Sequence, residues 1–341
     1  MVKQALLEQL CNISGTSGDE DRVADFITQQ IKDHCTYKID TMGSIIAYKK
    51  GKKTPKNKLL LSSHMDEVGF IITYITDKGY LKFATCGGID TRVMIGKTIQ
   101  IGNTGIQGII GVKPVHLTTD KDREKPIELD KLYIDIGANN KEEAQKFVSI
   151  GNRGVFVSAF TPFGDGLLKA KALDDRAGCA MLITLIQSNL EYDCYFAFTV
   201  QEESGCSGAG PVAFDVDPDY AIIVETTTAS DIPDIDPHKV VCTLGNGPVI
   251  SFMDRGTVYD MEFYNTILNI AKEQNIPHQS KMGVFGGNES KAIQVSKTGV
   301  KVSAISLACR YLHSANTVLK ETDISSTLQL LNAVILQVAD R

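Results

Sequence analysis

"KLLLSSHMDEVGF", residues 58–70, carries three leucines and two serines straight into His64, with Asp66 and Glu67 following within three positions. An apolar run of this length bounded by polar residues reads as a strand buried on both faces. A histidine and carboxylates at its end then need a reason to sit against a core. Similar arrangements recur along the chain. Gln201, Glu202 and Glu203 follow "YFAFTV", Glu225 ends "AIIVE", and His313 closes "ISLACRYLH". Asp174 and Asp175 open a further apolar stretch that starts near Arg176.

The texture around these segments sets the fold class. "AGCAMLITLIQ" is apolar nearly all round and reads as a helix buried between layers. Strand-like "CYFAFTV", "YAIIV" and "VKVSAISLA" alternate with helical stretches near 257–275, 289–296 and 322–340. Two helices are expected in the first ~35 residues, split by the turn "SGTSGDED", with strands at 37–50 and 58–63. Alternation of this kind predicts an α/β fold, a mostly parallel sheet with helices on both faces. From about 71 to 165 the pattern changes to short β-rich runs punctuated by glycine, such as "FIITYIT", "KTIQIG" and "KLYIDIG". These predict a small barrel or sandwich. The polar run "HLTTDKDREKPIELD" reads as an exposed loop. The division expected is one α/β catalytic domain, 1–70 plus 165–341, interrupted by an inserted β-barrel domain, 71–164.

Bulk properties narrow the functional classes. The 341 residues are 43% hydrophobic and 22% charged, with a formal net charge of −6. That balance argues against nucleic acid or an anionic membrane as the main partner. No run approaches the ~18 apolar residues of a spanning helix, and the N-terminus reads as an amphipathic helix rather than a signal peptide. The eight cysteines are scattered without a Cys-x-x-Cys pair, which suits reduced thiols in a cytoplasmic protein. Cys206 stands apart because it lies in the loop after Glu203.

In open α/β sheets, ligands gather beyond the carboxyl ends of the strands. The five clusters should therefore converge. Two histidines with several carboxylates and no thiolate suit a divalent cation, and Glu202, beside the ligand-like Glu203, suits a general base. Each cluster alone has a plainer reading: a hydrogen-bonded histidine, a helix cap at Asp174–Asp175, a solvated turn at "QEESG". Together they favour a metal, because so many buried carboxylates without a cation would cost several kcal/mol each, by order of magnitude. His34, His116, His238 and His278 have no partnered carboxylates at strand ends and read as structural or solvated.

"SSHMDEVGF", "KALDDRAG", "VQEESGCSGA", "IIVETTTASD" and "RYLHS" resemble, in order and spacing, the motifs of the M42 metallo-aminopeptidases, a family that includes glutamyl aminopeptidases, TET peptidases and proteins labelled "cellulase M". The similarity runs from "SGTSGDEDRV" at residues 14–23 to His313. It implies a zinc-aminopeptidase-like fold and two divalent metal ions per subunit, zinc or cobalt ahead of manganese. His64 and Glu225 would bind one ion, Glu203 and His313 the other, with Asp174 bridging. Glu202 would be the general base that activates a water at the metal pair, and Asp66 would orient His64. The Asp174–Asp175 peptide bond would be cis. Peptides would be the substrates, and subunits would pair into dimers that build a dodecamer through the β domain.

The chain departs from that pattern at Glu225, where many relatives have aspartate, at "GGNES" (286–290), and at "HSANT" (313–317), which lacks a proline after His-Ser. Three other functions share parts of this pattern: a metal-dependent deacylase of another amide, an endoglucanase-type glycoside hydrolase, and a catalytically silent assembly subunit. The glycosidase would leave both histidines without purpose, and the chain has no tryptophan and 7% aromatic residues for stacking on sugars. Arg255 and Lys291 are the cations considered for meeting an acidic N-terminal residue; solvated surface charge is the favoured reading for both.

Overall fold

The computed structural model describes residues 1–102 and 104–339. Two helices, α1 (Gln4–Asn12) and α2 (Asp21–Ile31), lead into β1 (Thr36–Ile39), β2 (Ile45–Lys49) and β3 (Leu59–His64). Six strands then close a barrel in the order β4-β5-β8-β7-β6-β9. They are β4 (Gly69–Ile75), β5 (Leu81–Cys86), β6 (Thr98–Ile101), β7 (Ile106–Gly111), β8 (Tyr133–Asp135) and β9 (Arg153–Phe156), with short helices α3 (Asp120–Arg123) and α4 (Lys141–Ala144) between them. The barrel has its own core, in which Phe70 meets Phe83 and Phe156 edge-on at 5.3 and 5.0 Å. The polar run expected as a plain loop holds α3 and two short 3₁₀ turns, Val115–Leu117 and Leu129–Lys131. Such turns satisfy backbone groups locally where no strand partner is at hand.

The rest of the chain returns to strand–helix alternation. It runs through β10 (Thr161–Phe163), β11 (Leu167–Ala170), α5 (Leu173–Gln187), β12 (Cys194–Thr199), α6 (Ala209–Val216) and β13 (Tyr220–Thr228). It continues with β14 (Val249–Ile250), α7 (Met261–Glu273), β15 (Gln279–Ser280), α8 (Ser290–Ile293), β16 (Lys301–Cys309), β17 (Thr317–Lys320) and α9 (Glu321–Val338). The main sheet has eight strands in the order β1-β2-β12-β3-β13-β16-β14-β15, and its centre, β12-β3-β13-β16, is parallel.

The alternation within β3 assigns its two faces. Leu59 and Leu61 enter the large core with α1, α2, α5, α7 and α9, whereas Leu60 enters the smaller core with α6. Burying each such side chain contributes roughly 1.5–3 kcal/mol. Helix α5 is buried on almost every side, as its all-round apolarity predicts, because the sheet lies on one side of it and α1, α2 and α9 on others. Its regular turns begin at Arg176, after the non-helical Asp174 and Asp175.

Arg176 is fully buried and ties the N-terminal segment to this helix. Its guanidinium donates to the carbonyls of Met65 (2.8 Å), Leu10 (2.5 Å), which lies in the last turn of α1, and Ile13 (3.0 Å), which caps it. Glu67 supplies a nearby negative charge at 3.6 Å and is itself paired with buried Lys171 at 2.5 Å. Arg176→Met strands the Met65 and Leu10 carbonyls, while Ile13 O keeps Lys171 Nζ at 3.3 Å. The expected result is a loss of about 3 kcal/mol, seen as a lower urea midpoint; a loss under about 0.5 kcal/mol, the range of ordinary surface substitutions, would show that the clamp is dispensable.

Candidate active site

The parallel centre of the sheet delivers the polar clusters to one edge. His64 is the last residue of β3 and pairs with Thr199, the last residue of β12, so the turn carrying Glu202 and Glu203 starts beside it. Glu225 lies within β13, which runs on to Thr228 rather than ending at Glu225 as the sequence suggested. His313 follows β16 by four residues. Asp174 reaches the same place from the entry to α5.

These five side chains converge. His64 Nε2 lies 3.4 Å from Asp174 Oδ1 and 3.5 Å from Glu225 Oε1. His313 Nε2 lies 3.5 Å from Asp174 Oδ2 and 3.3 Å from Glu203 Oε2. Asp174 thus offers one oxygen to each histidine. The ligand atoms of His64, Asp174 and Glu203 fall within 4.8 Å of one another, and so do those of His64, Asp175 and Glu225. Asp175, however, is already engaged: its oxygens accept from Ser63 Oγ at 2.5 Å and Gly178 N at 3.1 Å. A Cβ on residue 178 would sit 2.4 Å from that carboxylate, so Gly178 is what lets Asp175 fold back beneath the site. The Asp174–Asp175 peptide bond is cis.

Both imidazoles have a fixed tautomer. His64 Nδ1 faces two acceptors, Asp66 O at 3.1 Å and Asp66 Oδ1 at 3.3 Å. His313 Nδ1 faces Gly88 O at 2.7 Å. Acceptors alone at Nδ1 require a proton there, so Nε2 is the nitrogen turned to the carboxylates: it donates to them while protonated and offers its lone pair to a cation once that proton is lost. Asp66 also accepts from Ser17 Oγ (2.5 Å) and from the backbone N–H groups of Glu202 (3.0 Å) and Glu203 (3.1 Å), so one buried carboxylate sets both the imidazole and the Glu202–Glu203 turn. Glu20 supports the same turn through Gln201 N at 3.1 Å. Five non-glycine residues in or beside these groups hold φ near +60°, Ala172, Gln201, Cys206, Tyr311 and His313. That conformation costs about 1 kcal/mol or more each and clusters where a site dictates the backbone.

The electrostatics describe a shortage of positive charge. Burial, abetted by neighbouring carboxylates, pushes Glu203 up to about 8 and Glu225 and Asp175 well above the usual carboxylate range. Burial opposes charge on the histidines, yet Glu225, Asp174 and Asp66 outweigh it at His64, and Asp174 and Glu203 at His313, which rises to about 10. Asp174 stays well below its ordinary value despite burial, because both histidines donate toward it. Its Oδ1 is nonetheless buried without a hydrogen bond. Two imidazole nitrogens, several carboxylate oxygens and an orphaned oxygen between them fit divalent cations, with protons taking their place otherwise. Glu202 differs: burial raises it too, but Oε1 accepts from Cys206 Sγ at 3.1 Å.

Several contributors carry no sequence signal. Gly88 O comes from the barrel side, just after β5, so the barrel region orients a ligand without offering a catalytic side chain. At neighbouring Gly87, φ is +86° and a Cβ would approach Glu203 to 3.2 Å. The "GGNES" stretch splits: Gly286, Gly287 and Asn288 line the cavity beside the ligands, whereas Glu289 is fully buried and accepts from Ser62 Oγ at 2.7 Å. Arg255 and Lys291 are exposed and line no part of that cavity, but Lys281 does. His34, His116 and His238 are exposed, and His278 bonds Ile276 O at 2.8 Å, none of them near the cluster's contacts. All eight cysteines are free.

The family model for M42 glutamyl aminopeptidase matches residues 43–330. The chain belongs to that family. It is therefore an aminopeptidase, a hydrolase of peptide bonds in a metal-dependent family, with a candidate metal site at the sheet edge. A protein of Acetivibrio thermocellus, provisionally named an aminopeptidase, is 38% identical over 330 residues, 96% of each chain. Among solved structures, the TET1 peptidase of Pyrococcus horikoshii superposes with a TM-score of 0.86 at 33% identity over 99% of each chain, and that protein can assemble into a tetrahedron or a large octahedral shell. A Thermotoga maritima protein named an endoglucanase superposes at 0.80 with 37% identity, covering 98% of this M42 chain and 99% of its own. No helix among the described residues is long and apolar enough to cross a membrane.

The raised values fix how this M42 site responds to pH. Glu203 at about 8 against 4.5, and His313 at about 10 against 6.5, both make the folded metal-free protein hold extra protons. Their stabilisation is full below the ordinary values and is lost as pH rises through 8 and 10. Cations need those ligands deprotonated. The rise in melting temperature on adding zinc or cobalt should therefore grow between pH 6.5 and 9, with protons released on binding. A rise independent of pH, by scanning calorimetry, would contradict this.

Proposed function

We propose that the chain is a dinuclear-metal aminopeptidase. His64 and Glu225 would hold one cation, Glu203 and His313 the other, and Asp174 both. The observation that carries this reading is the convergence of the two Nε2 atoms on opposite oxygens of Asp174, with a further carboxylate beside each. Zinc or cobalt suits the nitrogen–oxygen donor set, manganese less so. When bound, the cations supply positive charge that polarises a scissile carbonyl and makes a water more acidic.

The residues do the rest. Glu202 takes the proton of the attacking water and passes it to the leaving amine. Its Oε1 is held by the Cys206 thiol, which fixes the carboxylate at the mouth of the cluster. Asp66 keeps the His64 imidazole turned toward Asp174 and Glu225. The cavity's acidic end favours a free α-amine, so the N-terminal residue is the one removed.

The division into a catalytic part, 1–70 plus 165–341, and an inserted oligomerisation part, 71–164, belongs to the same proposal. Homo-oligomers, dimers building a dodecamer, are proposed from the likeness to TET1, and a cytoplasmic location from the free thiols. Endoglucanase action is the weaker reading: a pair of carboxylates cleaves sugars without imidazoles, whereas here the acidic residues crowd two buried or half-buried histidines.

Glu202→Gln should keep both metals by elemental analysis while losing most of kcat, on the order of 10²–10⁴-fold. Glu203→Ala should lose metal as well as activity. An active Glu202→Gln enzyme would remove the base assignment. N-acetylated peptides should be very poor substrates; equal turnover of blocked and free peptides would remove the exopeptidase reading. Light scattering on the purified protein should give twelve subunits, and a monomer would contradict the assembly.

A further inference from the structure

The two histidines of the cluster are mounted differently. His64 ends a central strand, its side chain is 1% exposed, and Asp66 two residues on orients it. The His313 side chain is 36% exposed and belongs to the loop between β16 and β17. Arg310 and Val318 close the base of that loop, each backbone N–H donating to the other's carbonyl at 3.0 and 3.1 Å. Within it, Ser314 Oγ donates to Tyr311 O at 2.7 Å and accepts from Asn316 N at 3.2 Å. Tyr311 and His313 hold φ of +60° and +56°. Strain of that kind persists only where the surroundings over-determine the backbone, and a ligand on a loop is less precisely held than one on a strand.

The barrel provides the surroundings. Ala315 is 2% exposed and belongs to the barrel's own apolar core, with Phe70, Met94 and Phe156. Among the described residues it is the one member of that core that the chain supplies from beyond residue 156. Asn316 Oδ1 accepts from Ser158 Oγ at 2.9 Å, two residues past β9. Lys169 Nζ donates to the same Ser158 Oγ at 3.1 Å, which leaves the hydroxyl proton free to point at Asn316. With Gly88 O at His313 Nδ1, three contacts from the barrel and its exit grip four consecutive residues, His313 to Asn316. They fall within "HSANT", where the chain departs from the family pattern.

We propose that Ala315 and Asn316 are positioning residues for His313, seating its loop on the barrel so that Nε2 meets Asp174 and Glu203. The inference rests on the dinuclear reading above and goes beyond it: the barrel sets one ion of the pair, while the sheet sets the other.

The test uses the metal-free protein and cobalt alone. Competition with a chromogenic chelator gives two dissociation constants, and His313→Ala identifies the one that belongs to its side. Asn316→Ala and Ser158→Ala should each weaken that constant about 10–100-fold, the scale on which partners behind a metal ligand act, and the other constant far less. Ala315→Gly, which empties the seat in the barrel core, should act in the same direction. Asn316→Asp keeps an acceptor for Ser158 and should keep most of the affinity. The ion on the His64 side is the internal control, because a misfolded fraction loses both ions alike. Constants unchanged in Asn316→Ala and Ala315→Gly, or both weakened equally, overturn the inference and leave the dinuclear reading standing. A natural protein that takes up a single cobalt, or a His313→Ala protein that binds two as before, overturns both.

Discussion

Too many carboxylates share too little space at the carboxyl edge of this sheet. Asp174, Glu203 and Glu225 are buried around two imidazoles, with Asp66 and Asp175 directly behind them. An arrangement of this kind persists only if positive charge is supplied, by protons or by cations. The scaffold follows from that demand. The parallel centre aligns the ends of β3 and β12, the break before α5 projects Asp174, and Asp66 and Gly88 O each lock one histidine tautomer.

Support for the site comes in layers whose members are remote in sequence. Arg176 and the Lys171–Glu67 pair hold the N-terminal segment against the residues that follow β3, at the carboxyl edge of the sheet. That segment delivers Ser17 to Asp66 and Glu20 to Gln201. Asp66 then sets both His64 and the turn carrying Glu202. A disturbance at Leu10 or Ile13 therefore reaches the reacting groups through hydrogen bonds that are buried and hard to replace. The barrel is part of the same construction, because its side of the molecule supplies the carbonyl that orients His313.

Much of this was legible in residues 58–70 and their counterparts. Apolar runs of strand length ending in His64, Glu203 or Glu225 place ligands at strand termini, and strand–helix alternation makes those termini neighbours. The sequence places Glu225 at a strand end, whereas β13 continues to Thr228, since Thr226 to Thr228 are β-branched and pair with β16. Gly88 could not be found, because a backbone carbonyl carries no residue signature. Nor could Ala315: its seat in the barrel core depends on how the loop after β16 folds back. Arg255 and Lys291 carry the charge an acidic residue would need, but they are exposed. Sequence pattern reports periodicity and chemistry, while the partner that a side chain meets is a property of the folded chain.

The account stands on cations held between His64, Asp174, Glu203, Glu225 and His313. Anomalous diffraction from crystals grown with zinc or cobalt measures this directly. Two peaks are predicted, one beside His64 and Glu225 and one beside Glu203 and His313, with an Asp174 oxygen next to each. An absence of anomalous density among these five side chains in a metal-saturated crystal would contradict it.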